Sequence, residues 1–352
     1  MKNIGHQMTS MERVLAVCNN EIPDRVPFIL CDRVFGLKQA GLLYEQAYQD
    51  PDLYVNSQLN LLKKYNLDAV WDIWCTPVVD DALGAPMQIP QDDPPWVPKG
   101  CVSKPEDIAK LKTPIDPTKD GHMPYLLEVN RRLKKAVGPD VPVISWISQP
   151  FRTACMIRGS AELYLDLFDD PEFIKQLLDI SLEALTIYGK ALIDAGADII
   201  CTSNPVANMD CISRKHFEEF SHPYTKKLFG DLKAYGAKAI IYHTCGKWDD
   251  RYDLIGDENV SIDHHDKVDI KDWKEKNSEK MVSMGNIKSV STLLQSSEEK
   301  VRQETLECMK KGMPGGRYIV SADCEVPRDT PAANIKAMAE IVQKYGRYPI
   351  EF

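Results

Sequence analysis

A histidine and two cysteines set the chemistry open to this chain. His243 and Cys245 stand two residues apart in the run Tyr242-His243-Thr244-Cys245-Gly246, and Cys324 comes far later, in Ser321-Ala322-Asp323-Cys324-Glu325. One imidazole and two thiols are a donor set that zinc takes. Three protein ligands leave a fourth position free, which separates a catalytic zinc from a structural one. Two thiolates and a neutral imidazole balance a dication, and soft sulfur selects zinc over magnesium or calcium. A centre of this kind can bind a thiol as thiolate, or polarise an ether oxygen so that it departs as an alkoxide; both are Lewis-acid roles. A histidine and two unrelated free thiols near one rim would read the same locally, so the spacing alone leaves both open.

Strand ends are what would bring these residues together. Short apolar runs at 26–30, 69–74, 141–147, 198–202, 238–243, 260–263, 281–285 and 318–321 alternate with helical patterns. Continuous apolar runs of this length suit parallel strands buried on both faces. His243 closes the fifth run and Cys324 follows the eighth by a few residues. In extended backbone, residues two apart point to one side, and a turn at Gly246 would help His243 and Cys245 converge. The clearest helix is expected over 170–195, where Phe173, Leu177, Leu178, Leu182, Leu185 and Leu192 recur near the helical period behind Asp170-Pro171-Glu172. Ser213 would cap the next, and Thr330-Pro331 would open the last.

Eight strands with a helix after most of them predict an α/β fold, a closed (β/α)8 barrel of the TIM type, with catalytic groups at the C-terminal strand ends. A doubly wound open sheet competes, but no Gly-x-Gly-x-x-Gly fingerprint follows an early strand. The whole chain, 1–352, reads as one domain. Its exception is 76–124, which holds ten of the 23 prolines. That stretch is expected to be an elaborated loop after the second strand, folded over the barrel mouth, functional or with small elements of its own.

Other residues could complete a pocket there. His264 and His265 follow the sixth strand; substrate binding, a proton role or a fourth ligand competes with a solvated pair on a loop. Trp74, Trp146 and Tyr242 sit at strand ends and could give an aromatic lining, against an ordinary core role. Asp263 and Asp323 could orient a ligand imidazole. The net charge of −9, without a basic stripe, argues against nucleic acid and anionic membranes. The absence of an apolar signal core or a spanning stretch predicts a cytoplasmic protein. Ten cysteines in 352 residues are too sparse for a disulfide scaffold, and those inside apolar runs, such as Cys75, Cys155 and Cys201, read as buried thiols.

Several segments carry a family resemblance: residues 11–28, Gln149-Pro150-Phe151, residues 163–173, and Gly196-Ala197-Asp198 leading to Asn204-Pro205-Val206-Ala207. The chain resembles the uroporphyrinogen decarboxylase superfamily over nearly its whole length, and within it the zinc-dependent corrinoid methyltransferases. The resemblance implies a (β/α)8 barrel. The true decarboxylases use no metal and grip a porphyrinogen through an N-terminal Arg-Gln-Ala-Gly-Arg signature. Cys31-Asp32-Arg33-Val34-Phe35-Gly36 stands in the comparable region here, so decarboxylation is the weaker implication. The methyltransferase branch carries His-x-Cys and a distant Cys as zinc ligands, matching His243, Cys245 and Cys324, and its Pro-x-x-Thr-Pro-x-x-Asn appears at 327–334. By resemblance, the chain would hold Zn2+ and move a methyl group from a small methylated donor, such as a methoxylated aromatic, to the cobalt of a corrinoid. No Asp-x-His-x-x-Gly motif occurs, so the corrinoid would arrive on a separate corrinoid-binding protein docked at the barrel mouth. The alternative is the mirror reaction, in which a thiol like coenzyme M takes the methyl from a methylated corrinoid. A non-catalytic protein with a closed four-ligand zinc site is a third possibility.

Overall fold

In the computed structural model, which describes residues 7–352, seven parallel strands lie side by side in chain order. They are β1 (Val70–Trp71), β2 (Val143–Ile147), β3 (Ile199–Ser203), β4 (Ala239–Thr244), β5 (Ile262–His265), β6 (Val282–Met284) and β7 (Tyr318–Ile319). Alternation along each strand sorts its side chains onto two faces. Trp71, Ile144, Trp146, Ile199, Cys201, Ala239, Ile241, Ile262, Val282, Met284 and Ile319 pack together as one buried cluster, the interior of the curled sheet. The alternate residues, among them Val143, Ile147, Ile200, Ile240 and Tyr242, pack in a separate cluster that includes helix residues.

The first of the eight expected strands, at 26–30, does not form a ladder. It makes a single parallel bridge, Phe28 to Val320. Pro27 has no N–H to give, and the N–H of Phe28 goes to the Asp68 carboxylate at 2.8 Å instead of to a strand. The segment still links the two edges of the sheet. Val320 N donates to Pro27 O (2.9 Å) and Ile29 N to Val320 O (3.0 Å), while Asp68 N, two residues before β1, donates to Phe28 O (2.8 Å). Ile29 joins the interior cluster.

The longest helix spans Pro171–Asp194, with the Asp170 carboxylate accepting from Phe173 N. Its buried stripe carries Phe173, Leu177, Leu178, Leu185 and Leu192, as the periodicity requires. Ser213 does cap a helix, but only the short Arg214–His216. A π-helical turn, Phe217–Ser221, intervenes before the helix His222–Tyr235. Pro223 explains the break, since it lacks an N–H and crowds the carbonyl one turn back. The last helix is Ala332–Tyr345, directly after Pro331. Within 76–124 the chain forms a helix at Val78–Leu83, an antiparallel bridge between Gln88 and Trp96, and a 3-10 helix at Pro105–Lys110. Arg328, in the loop after β7, donates to Asp92 O at 3.1 Å. Among the described residues, no helix is long and apolar enough to cross a membrane.

Candidate metal centre

His243 is the next residue of β4 on the face that carries Ala239 and Ile241, so the strand's own phase turns it inward at the C-terminal end. Thr244 points the other way, and its hydroxyl donates to Asp263 Oδ1 at 2.7 Å. Cys245 follows at the start of a turn. Gly246 there has φ +100°, and its N–H donates to Asp266 Oδ1 at 3.0 Å. An added Cβ would meet the Asn208 amide at 2.5 Å, so only glycine fits. Cys324 lies on the arm after β7, which is pinned on both sides of it: Asp323 N donates to Ile287 O (2.7 Å) and Val326 N to Cys31 O (2.9 Å).

The result is convergence. Cys324 Sγ is 3.4 Å from His243 Nε2, and the donor atoms of His243, Cys245 and Cys324 all lie within 4.8 Å of one another. In a tetrahedral zinc site, a nitrogen at ~2.05 Å and a sulfur at ~2.3 Å from the ion stand about 3.6 Å apart. The three residues therefore fit a single zinc ion. The tautomer is also right. His243 Nδ1 is 2.9 Å from the backbone oxygen of His264, which can only accept, so Nδ1 carries a hydrogen and the neutral imidazole has its lone pair on Nε2. The Cys324 thiol is drawn below its ordinary pKa, chiefly by a hydrogen bond from Cys245, whose own value rises for the same reason.

His264 is fully buried beside this centre, its ring centroid 4.5 Å from that of His243. Its Nε2 donates to Ala322 O at 2.8 Å. Burial holds its pKa well below the usual histidine value, so it stays neutral. Trp74 and Trp146 belong to the interior cluster, each 6% exposed. A guanidinium lies over each indole: Arg33 at 4.8 Å from the Trp74 centroid and Arg152 at 5.7 Å from that of Trp146.

Two residues expected in the pocket are turned away from it. Tyr242 occupies the opposite phase of β4 and packs outward against Phe229 and Trp248. His265 is out of phase with His264 in the same way. It stacks on Trp273, and its ring nitrogens face Ser283 Oγ (2.9 Å) and Asn286 Nδ2 (3.3 Å). One residue of register reverses the face, and both residues are on the helix side. Nor do Asp263 and Asp323 orient the imidazole. Asp263 serves Thr244, and Asp323 accepts from Ser289 N (2.9 Å) and pairs with Lys288 (3.4 Å). The orienting group is a main-chain carbonyl, which no side-chain pattern announces.

Sequence reasoning also passed over the Arg33–Glu325 pair. Glu325 directly follows Cys324, and its carboxylate takes Arg33 in a two-pronged bond (3.1 and 2.9 Å) while Arg33 Nη1 donates to Trp74 O (3.2 Å). Three loops at this end of the sheet are tied by one side chain. The single hint was an arginine where the decarboxylase signature is missing.

Residues 9–345 match the family model described as Uroporphyrinogen decarboxylase (URO-D), and the chain belongs to that family. Among named relatives it is similar to the Methylcobamide:CoM methyltransferase MtaA of Methanosarcina barkeri, 26% identical over 347 residues, covering 96% of this chain and 99% of that one. It is also similar to the Methylcobamide:CoM methyltransferase MtbA of Methanosarcina acetivorans, 30% identical over 254 residues, 71% of this chain and 72% of that one. Among solved structures, a methyltransferase from Methanosarcina mazei has the same fold, with a TM-score of 0.86 at 24% identity over 96% of this chain and 99% of that one.

Proposed function

We propose that this chain is a zinc-dependent methyltransferase that moves a methyl group between a small molecule and the cobalt of a corrinoid carried by a separate protein. The observation that carries the reading is the convergence of His243, Cys245 and Cys324 within 4.8 Å, with the His243 lone pair free to bind. Bound there, zinc would supply Lewis acidity at its open position. The protein's part is to hold two sulfurs and one nitrogen on rigid strand ends and to keep the imidazole in one tautomer. The corrinoid would bring the methyl-transfer chemistry, and the protein the positioning. Agreement with relatives named as methyltransferases acting on methylcobamide supports the corrinoid.

We read the curled sheet, with 26–30 bridging its edges, as a (β/α)8 barrel of one domain. In that reading 76–124 lies over the mouth, where the corrinoid protein docks. We infer a methylated donor, such as a methoxylated aromatic, whose methyl passes to cobalt; two nearly buried indoles, Trp74 and Trp146, support an aromatic substrate. A second reading is favoured by the relatives' names: a thiol such as coenzyme M takes the methyl from a methylated corrinoid. The same three residues would serve both.

One experiment addresses all of this. Purified protein is assayed for metal, then for methylation of cob(I)alamin by a panel of methoxylated aromatics and other methylated donors, and for demethylation of methylcobalamin by thiols. About one zinc per chain with methyl transfer in the first assay supports the reading. Transfer only to thiols reverses the direction. Metal-free decarboxylation of a porphyrinogen, with silence in both assays, sinks it.

A further inference from the structure

The two arms that converge on the candidate centre leave the sheet from β4 and β7, with β5 and β6 between them. Their spacing therefore depends on whatever crosses that gap. His243, His264 and Met284 are in register on β4, β5 and β6, so the His264 ring sits level with the imidazole of His243. Its main-chain oxygen holds His243 Nδ1–H at 2.9 Å. Its own Nε2–H passes over β6 to the carbonyl of Ala322, two residues before Cys324, at 2.8 Å. The ring is wholly buried, as is Ala322. Beside it Gly285, with φ +122°, keeps backbone where a Cβ would lie 3.9 Å from His264 Cδ2 and 3.1 Å from His265 O.

We propose that His264 is a positioning residue: a strut across the sheet interior that sets the distance between His243 and Cys324, so that both reach one metal ion. This rests on the zinc reading above. Metal–ligand bonds tolerate only ~0.2 Å of error. Past β7 the Cys324 arm is held by the Ala322–Ile287 bridge and by main-chain bonds at Asp323 and Val326, and the tether at the Ala322 carbonyl adds to what fixes the sulfur. The imidazole is suited to this because its tautomer is fixed by donation to a carbonyl. Its remaining nitrogen, Nδ1, has no hydrogen-bond partner among the described residues. A rival role follows from that lone pair, in which His264 accepts a hydrogen bond from substrate, and a substitution series separates the two.

The test compares His264→Leu, which abolishes the donor, with His264→Gln, whose amide can donate to Ala322 but which lacks the Nδ1 lone pair. His264→Asn, polar but too short to reach, replaces the leucine variant if that one does not fold. The main-chain bond to His243 survives in all of them. Zinc affinity is measured by chelator competition, and the cobalt(II)-substituted proteins are compared by thiolate-to-cobalt absorption. The strut predicts that the leucine variant binds zinc about 10- to 100-fold more weakly, and that its thiolate-to-cobalt absorption falls by about half as Cys324 detaches. The glutamine variant should restore both. Wild-type affinity and spectrum in the leucine variant would overturn the proposal, as would a glutamine variant no better than leucine. Failure of the unmodified protein to bind either metal would instead sink the zinc reading itself.

Discussion

At His243 one hydrogen bond decides which nitrogen can bind a metal. The carbonyl of His264 claims Nδ1–H, and Nε2 is left facing Cys324 Sγ at 3.4 Å. Each sulfur is then one third of the donor set, and none of the other described His, Cys, Asp or Glu residues is grouped with it. Cys324→Ser or Cys245→Ser should therefore drop the zinc content well below one per chain. Loss of several kcal/mol of Lewis-acid stabilisation, at 1.36 kcal/mol per tenfold, predicts roughly 10³-fold slower methyl transfer. Elemental analysis after gel filtration and a single-turnover assay check both. Tyr242 makes the converse case. Its hydroxyl is buried on the helix side with no hydrogen-bond partner among the described residues. Tyr242→Phe should leave zinc content, KM and kcat unchanged; a raised KM would show that the hydroxyl does reach substrate.

At the scale of elements, the seam at 26–30 carries the most concentrated charge. The wholly buried Asp68 carboxylate accepts from Arg13 Nη1 (2.6 Å), Arg25 Nη1 (2.7 Å), Phe28 N (2.8 Å) and Ser10 Oγ (2.9 Å). It substitutes for the ladder that Pro27 forbids, joining the first helix, Ser10–Cys18, to the seam and to β1. Removing one partner of a buried pair strands the other charge, so Asp68→Ala should cost about 3–5 kcal/mol. The denaturant midpoint would fall accordingly. A midpoint close to wild type would mean that the two arginines find water or other partners. The seam had looked like a strand because its composition is apolar. Pro27 shows its missing N–H in the sequence; that the next N–H, of Phe28, is captured by the Asp68 carboxylate is decided by tertiary contact.

For the molecule as a whole, burial has trapped several carboxyl groups. Asp32, Asp72, Asp80 and Glu258 are fully buried, and desolvation pushes each up to about 7. Such a group is still protonated in the native state when its unfolded counterpart has ionised, so the native state binds more protons between about pH 4 and 7. Stability then falls as pH rises through that window and levels off above it. His265, pulled down to about 3 by burial, acts in the opposite sense: its share of stability grows between pH 3 and 6.5. Asp80 isolates the carboxyl effect. Among the described residues neither of its oxygens has a hydrogen bond, and Arg152 stands 3.8 Å away. Asp80→Asn should therefore gain stability relative to wild type between pH 5 and pH 8, measured by chemical denaturation at both. A difference independent of pH would place the carboxyl's pKa at its ordinary value.

The amino-acid sequence on its own determined which atoms could share an ion, and much of the secondary structure. His243 and Cys245 are legible because they stand two apart at the end of an apolar run, and the helix Pro171–Asp194 is legible from the spacing of its leucines, since both patterns are local. Tertiary structure decided the rest. It set the phase of the strands, which faces His264 inward and turns Tyr242 and His265 toward the helices. It closed the long loop between Cys245 and Cys324, and it paired Arg33 with Glu325 across nearly the full length of the chain. The physical reason is common to all three: they depend on the curl and register of the sheet, summed over many strands, and no short stretch of chain contains that sum.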